Sequence, residues 1–489
     1  MKNKIKVIIS LSLCVLISFS CKKSLKTPIP QTSISDATSF DTPERILNQV
    51  RSIYSALKNG NFYGGRYQVY GDIRGEDFIN ETTNLVTGAD VWSLNPAGTS
   101  QNSVKNLWAQ AYFTINLCNV FIDGMNVKGP LVVGAAQSNI YIAEARLVRA
   151  LSYYSLLQLY ARPYADGNGS KPGLPLRLTG IKGSGYSNLA RSSVGDVYTQ
   201  VLNDLNFAEA NLPLTNGTAE LNTTRAHRNT AIALKTRVYL SMQNYPAVIT
   251  EANKIVTTSA PFTATSGVAH ALQPNISTIF LSNYTTTESI FSLPMSVAAG
   301  DNPNTQNQLG FYFVRNGASL GNAEYSLNPI GSGILANPGW GANDVRKTSL
   351  VFTGGAKKYL AKYQNPNPYL DYPPVIRYAE VLLNLAEALA RTTPASANTR
   401  GLALVNAVRF RSDPSVTITA ANQQQLIDAI MLERRIELLG EGLRNNDLMR
   451  LLQTIPAKGS IASKAPNETG YIWPISSDEM SLNNLMTDN

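Results

Sequence analysis

Two carboxylates four residues apart, Glu433 and Glu437, open the chemically densest run in the chain. Helical spacing puts both on one face, and paired carboxylates are how glycosidases work. Arg434, Arg435, Arg444 and Arg450 surround them, with Glu441 and Asp447 close by. Arg–carboxylate forks hold charge ionised and fixed, whereas a general acid needs a raised pKa. Glu433, Arg434, Arg435, Glu437, Glu441, Arg444 and Asp447 therefore read as a structural ion-pair network between helices, and no catalytic residue is assigned. Asp72, Glu76 and Asp77 offer oxygens to a hard cation, but their spacing does not match a calcium loop. Arg74 in their midst favours another charge network. No metal or other cofactor is assigned, with a structural calcium as the alternative. His227 and His270 are the only histidines. They are too few for a zinc site without further ligands and stand near no nucleophile elbow, so both read as surface or cap residues.

A binding chemistry is carried by aromatics. A sugar ring has a face of C–H bonds that packs on the flat face of Trp or Tyr, while polar side chains bond its hydroxyls. Trp92, Tyr70, Tyr284, Tyr312, Tyr325 and Trp340 lie in loop-like sequence and are the candidate ligand contacts. Burial in local packing is the competing role for each. Trp108 and Trp473 sit in patterned segments and read as core.

The elements that must position these residues are mostly helices. Ile140, Ala143, Leu147, Ala150, Tyr154 and Leu157 recur at alternating spacings of three and four. From Pro373 onward, Val375, Tyr378, Leu382, Leu385 and Leu389 run beside Ile376, Ala379, Leu383, Ala386 and Ala390. A face that wide needs partner helices. Further helices are predicted over 43–58, 102–123, 193–211, 223–242, 245–256, 398–410 and 423–439, with Thr223-Thr224 and Ser192-Ser193 as N-caps. Helix pairs joined by short turns are predicted at 223–256 and 373–410; the first resembles a tetratricopeptide pair, and such pairs must stack to bury their apolar faces. Between about 259 and 371 helical periodicity gives way to Gly, Asn, Pro, Ser and Thr, as in Asn302-Pro303-Asn304. This stretch reads as a loop-rich layer with short strands, and loops on a rigid scaffold are where binding sites sit.

The N-terminus adds an address. Lys2, Lys4 and Lys6 precede an apolar run, Val7 to Phe19, of signal-peptide length. It ends in Ser18-Phe19-Ser20-Cys21, a lipobox-like pattern that predicts lipidation at Cys21. Two or more acyl chains give a stable anchor. With Cys14 in the leader, Cys118 alone remains and reads as a buried apolar side chain. Charged residues make up only 15% of the chain, against about 25% in typical soluble proteins. The net charge of +9 is scattered, without the concentrated basic face that nucleic acid requires.

These features together are similar to the SusD/RagB family. The densest match is Glu433 through Arg450, followed by Arg377 through Ala388, Trp473-Pro474-Ile475, Glu144 through Tyr160 and Gly71 through Asp77. Asn445 and Asn446 stand where the family usually has aromatics. The resemblance implies a mainly α fold: tetratricopeptide-like helix pairs forming a right-handed scaffold under a loop-rich, short-strand ligand face. It implies a signal peptide over 1–20, a tether over 21–41, an N-terminal helical region over 42–258 and a C-terminal region over 259–489. The last divides into a loop-rich part (259–371), a helical part (372–452) and a tail (453–489). It also implies an outer-membrane, surface-exposed lipoprotein that binds an oligosaccharide and passes it to a SusC-like TonB-dependent transporter, with Trp92 and Tyr312 in regions that line the ligand face. A helical glycoside hydrolase and a tetratricopeptide-type protein scaffold are the alternatives.

Overall fold

Thr42 opens the first helix: its hydroxyl accepts from the Arg45 N–H, and Pro43 takes the first helical position, where a missing N–H costs nothing. In the computed structural model, which describes residues 38–489 apart from 184, 186, 282–283, 299, 304, 315–321 and 366–369, this helix, α1, runs Pro43–Leu57. Cys21 and the leader lie outside the described residues. Helix α2 is Arg66–Ile73. The long helices α3 (Asn106–Val133) and α4 (Ala135–Tyr160) meet at Gly134, whose φ of +80° lets the chain turn at once. Helix α5 (Val194–Asn211) starts in a capping box, Ser193 with Asp196. Then come α6 (Arg228–Ser241), α7 (Tyr245–Ala252), α8 (Tyr378–Thr392), α9 (Thr399–Ser412), α10 (Gln423–Glu437) and α11 (Arg444–Arg450).

From α3 to α10 each helix packs against the next, including α7 against α8 across the loop-rich segment between them. The fold is mainly α, as expected. Among the described residues, one main apolar cluster includes residues from Phe40 to Met486, with smaller clusters around Leu448 and Leu240. Among the described residues the strands form four two-stranded antiparallel ribbons. Strand β1 (Phe78–Asn80) pairs with β5 (Tyr325–Leu327), and β2 (Pro172–Pro175) with β3 (Arg191–Ser193). Strand β4 (Ser289–Ser292) pairs with β8 (Pro374–Arg377), and β6 (Val351–Gly354) with β7 (Lys357–Leu360).

Two expected helices start elsewhere. The segment predicted over 223–242 is broken: a short helix, Ala219–Thr224, ends before Arg225, and α6 begins only at Arg228. Tyr54 explains the break, because its hydroxyl takes the Ala226 N–H at 3.0 Å while the Arg225 guanidinium reaches Glu144. Thr223 and Thr224 therefore close a helix rather than cap one. Val375 and Ile376 belong to β8, not to the helical stripe. Pro373 accepts the Leu293 N–H through its carbonyl, so the diproline stays extended and α8 starts at Tyr378.

His227 and His270 are not surface residues. Both are buried and their rings stack at 5.2 Å, His227 at the N-cap of α6 and His270 in the 259–371 segment. Burial first, then the neighbouring His270, pushes His227 down to about 3; burial pushes His270 down to about 4. Below pH 6.5 the unfolded imidazole binds a proton that the folded one refuses, so stability falls as pH falls toward the folded values. The backbone of Asn222 and Ile290 approaches the His227 ring without a hydrogen bond of ordinary geometry, and a phenyl ring keeps the flat shape without a titrating group. His227→Phe is expected to reduce the stability lost between pH 7.5 and 5.5 by about 1–2 kcal/mol. Urea unfolding at the two pH values checks this, and equal losses in both proteins would exclude the assignment.

Candidate functional site

The Glu433–Asp447 run folds into the interior. Glu437, at the end of α10, takes Arg346 at 2.8 Å and Arg377 at 2.7 Å, and Arg411 also reaches it. Arg409 reaches Glu433 at 2.6 Å, and Lys362 reaches Glu441 at 2.6 Å. Glu288 and Asp344 complete the group through Arg377, Arg411 and Arg346. Five carboxylates thus face five cations, with every side chain at most 4% exposed. Burial alone would raise the Glu437 carboxyl; Arg411, Arg377, Arg346 and Lys362 overcome that and hold it well below the usual range. Arg434 and Arg450 both bind Asp447, and Arg450 also binds Glu387 of α8 at 2.7 Å. Burial would raise Asp447 too, but these guanidiniums bring it down to about 2. A carboxylate held this way is no proton donor at neutral pH. The polar stripe of α8 is absorbed likewise: Glu380 pairs with Arg237, and Asn384 accepts from Arg434.

The 71–77 segment docks on the same run. The Asp72 carboxylate accepts from the Gly442 N–H at 2.9 Å and the Arg444 N–H at 3.3 Å. Burial pushes it up to about 7 against those two bonds. Glu76 pairs with Arg444 and Arg435, Asp77 with Arg435, and Arg74 donates to Asn445 Oδ1 at 2.9 Å. The oxygens that a calcium would need are bonded to protein donors.

The aromatic candidates divide. Tyr70, Tyr312, Tyr325 and Trp340 are at most 2% exposed, which corrects their reading as ligand platforms. Tyr70 donates to the Asn102 carbonyl and packs on Trp473; Tyr312 donates to the Gln306 carbonyl; Tyr325 donates to the Thr87 carbonyl. Lys347 covers the Trp340 ring. The β1–β5 pairing draws their loops inward, so lack of helical periodicity did not mean exposure. Trp92 is half-buried, its indole N–H donating to the Phe78 carbonyl at 2.8 Å. Tyr284 is half-buried and stacks on Tyr372 with ring centres 4.5 Å apart and planes 13° apart. Its hydroxyl donates to Asp371 at 3.1 Å and accepts from Asn365. Burial pushes the Asp371 carboxyl up to about 7. Trp108, Trp473 and the free thiol of Cys118 lie in the core.

An open cleft of about 590 Å³ lies along α1. Helix α1 buries Ile46, Val50, Ile53 and Leu57 and turns Asn48, Arg51, Ser52 and Ser55 into that cleft. Arg225, Leu293, Pro294 and Asp301 form the opposite wall. The N–H of Leu293, a wall residue, donates to the carbonyl of Pro373, the residue after Tyr372. Partial burial would raise Asp301, but the Lys58 ammonium and Ser296 hydroxyl outweigh it and hold its carboxyl down. Tyr372 was missed in the sequence because the diproline after it looked like a helix start. The cleft lining mixes hydroxyl, amide and charged groups with apolar side chains, a surface that a polyhydroxylated ligand can fit.

Residues 283–489 match the family described as the SusD family, and residues 29–240 match one described as starch-binding and associating with the outer membrane. The crystal structure of a SusD superfamily protein from Bacteroides fragilis superposes with a TM-score of 0.80 at 31% identity, covering 92% of this chain and 100% of that one. This chain belongs to the SusD family. SusD-like protein P25 of Formosa agariphila is 26% identical over 280 residues, 56% of this chain and only 50% of that relative. A laminarin-binding SusD-like protein shares the fold at 19% identity and a TM-score of 0.72, covering 92% of this chain and 99% of that one. Among the described residues no helix is long and apolar enough to cross a membrane.

Proposed function

We propose that this SusD-family chain is an outer-membrane lipoprotein, anchored at the surface through Cys21, that captures an oligosaccharide and delivers it to a SusC-like TonB-dependent transporter. The cleft beside α1 carries the reading: hydroxyl and amide side chains line it together with a carboxylate, Asp301, tied to Lys58, and its wall residue Leu293 bonds to the proline next to Tyr372. A sugar held in the cleft would meet the polar groups of Asn48, Ser52 and Ser55. The family description as starch-binding and associated with the outer membrane, and the laminarin-binding relative, support an oligosaccharide as the ligand. Confinement of both partners to one membrane raises their effective concentration, so the contact with the barrel need not be tight.

Tyr372→Ala is expected to weaken oligosaccharide binding at least about tenfold, the effect of roughly 1.4 kcal/mol. The ring is only half-buried, so the melting temperature should move by no more than about 2 °C. Calorimetric titration across a panel that includes starch and laminarin fragments checks this. Unchanged affinity would remove the cleft from the site. Release of reducing ends, abolished in Asp371→Asn, would make the chain a hydrolase instead.

A further inference from the structure

Leu131 and Val127 are among the most exposed large apolar side chains on the molecule, at 86% and 72%. They lie four residues apart near the end of α3 and so share one helix face. Around them the turn into α4 exposes Pro130, Ala135 and Ala136, and Lys128 is the only charged residue from 124 to 143. A single exposed leucine needs no explanation; an apolar helix-hairpin tip with one charge does.

The start of the described chain supplies it. The Phe40 ring packs on Phe121 at 5.9 Å and fills the space beside Gly124, while Asp41 pairs with Lys128 at 2.6 Å. The polypeptide arriving from residues 1–37 therefore joins the domain beside this tip. Seventeen residue steps separate Cys21 from Thr38. They span at most about 55–60 Å at full extension.

We propose that the α3–α4 tip rests on the outer-membrane lipid surface, with Leu131 and Val127 entering the boundary between headgroups and acyl chains. This rests on acylation of Cys21, which holds the tip within reach of the bilayer. A shallow apolar contact needs no long hydrophobic span, only a few side chains beside an existing anchor. It would fix the orientation of the whole helical stack relative to the membrane and hold the α1 cleft in a constant pose.

The full acylated chain carrying Leu131→Cys tests this. Cys118 is buried, with burial pushing its thiol up to about 12, and Cys21 would be blocked by lipid, so a thiol-reactive environment-sensitive dye goes to position 131. The protein is reconstituted alone into phosphatidylethanolamine–phosphatidylglycerol vesicles, with and without doxyl-labelled lipid. The expected result is blue-shifted emission quenched at least about twofold more than dye at Thr417→Cys, in the exposed α9–α10 loop. Equal quenching at both sites, with palmitate on Cys21 and the protein pelleting with vesicles, would overturn the lipid contact and leave the tip to a protein partner or a second copy. Absence of palmitate from Cys21 would overturn the contact together with the anchor beneath it.

Discussion

Glu437→Gln should lower the free energy of unfolding by about 3–5 kcal/mol, the cost of leaving buried charge uncompensated. The substitution keeps the side chain's shape and removes one negative charge. Arg346, Arg377 and Arg411 all bond to that carboxylate, and each is at most 4% exposed. The five-to-five balance becomes four-to-five inside a region of low dielectric, where Coulomb energies are least screened. The same reasoning predicts a partial rescue. Arg411→Gln added to Glu437→Gln restores neutrality, so the double variant should be less unstable than the sum of the two single changes. Urea midpoints of the three variants and the parent decide it. A double variant equal to the sum would show that the charges act independently. The pH dependence has a fixed sign. Glu437 is held well below the range of an unfolded glutamate, near 4.3. Its contribution is complete above about pH 5 and is lost as pH falls through the folded value. The Gln variant should therefore lose less stability than the parent on acidification below pH 5.

Periodicity and charge spacing were legible where the physics is local. The stripe from Ile140 to Leu157 reports a helix because its burial repeats every turn, and α4 duly runs Ala135–Tyr160. The arginine-rich run signalled ion pairing because so many guanidiniums beside carboxylates leave little else. What escaped was set by distant residues. The break at Arg225–His227 depends on the hydroxyl of Tyr54, 172 positions from the Ala226 N–H it accepts. Strand β8 forms because β4, over 80 residues away, supplies its partner. Arg346 and Lys362, central to the charge cluster, sit in loop-rich sequence with no pattern to mark them. The burial of Tyr312 and Tyr325 follows from strand pairing across the molecule, which a list of loop aromatics does not contain.

Gly442→Ala should cost about 3–5 kcal/mol, combining the strain of a left-handed backbone with overpacking. Gly442 has φ +83°, and a methyl group there would stand 2.5 Å from the Gln68 Cα of α2. Gly71 meets the same crossing from the other side, where an added Cβ would lie 2.2 Å from the Gly442 carbonyl oxygen. Both obstacles are backbone, so no side-chain rotation relieves them. Here the 71–77 segment and the 433–450 run, far apart in sequence, come into backbone contact, and Asp72 takes the Gly442 and Arg444 N–H groups. Separating the two backbones stretches those bonds and loosens the Arg444–Glu76 and Arg74–Asn445 contacts behind them. Because one crossing is disturbed in both cases, Gly71→Ala and Gly442→Ala should be strongly non-additive. Once either methyl has forced the segments apart, the second adds mainly its local strain. Thermal unfolding of the parent, both single variants and the double variant measures the coupling. Full additivity would mean that the two glycines serve separate turns rather than one shared contact.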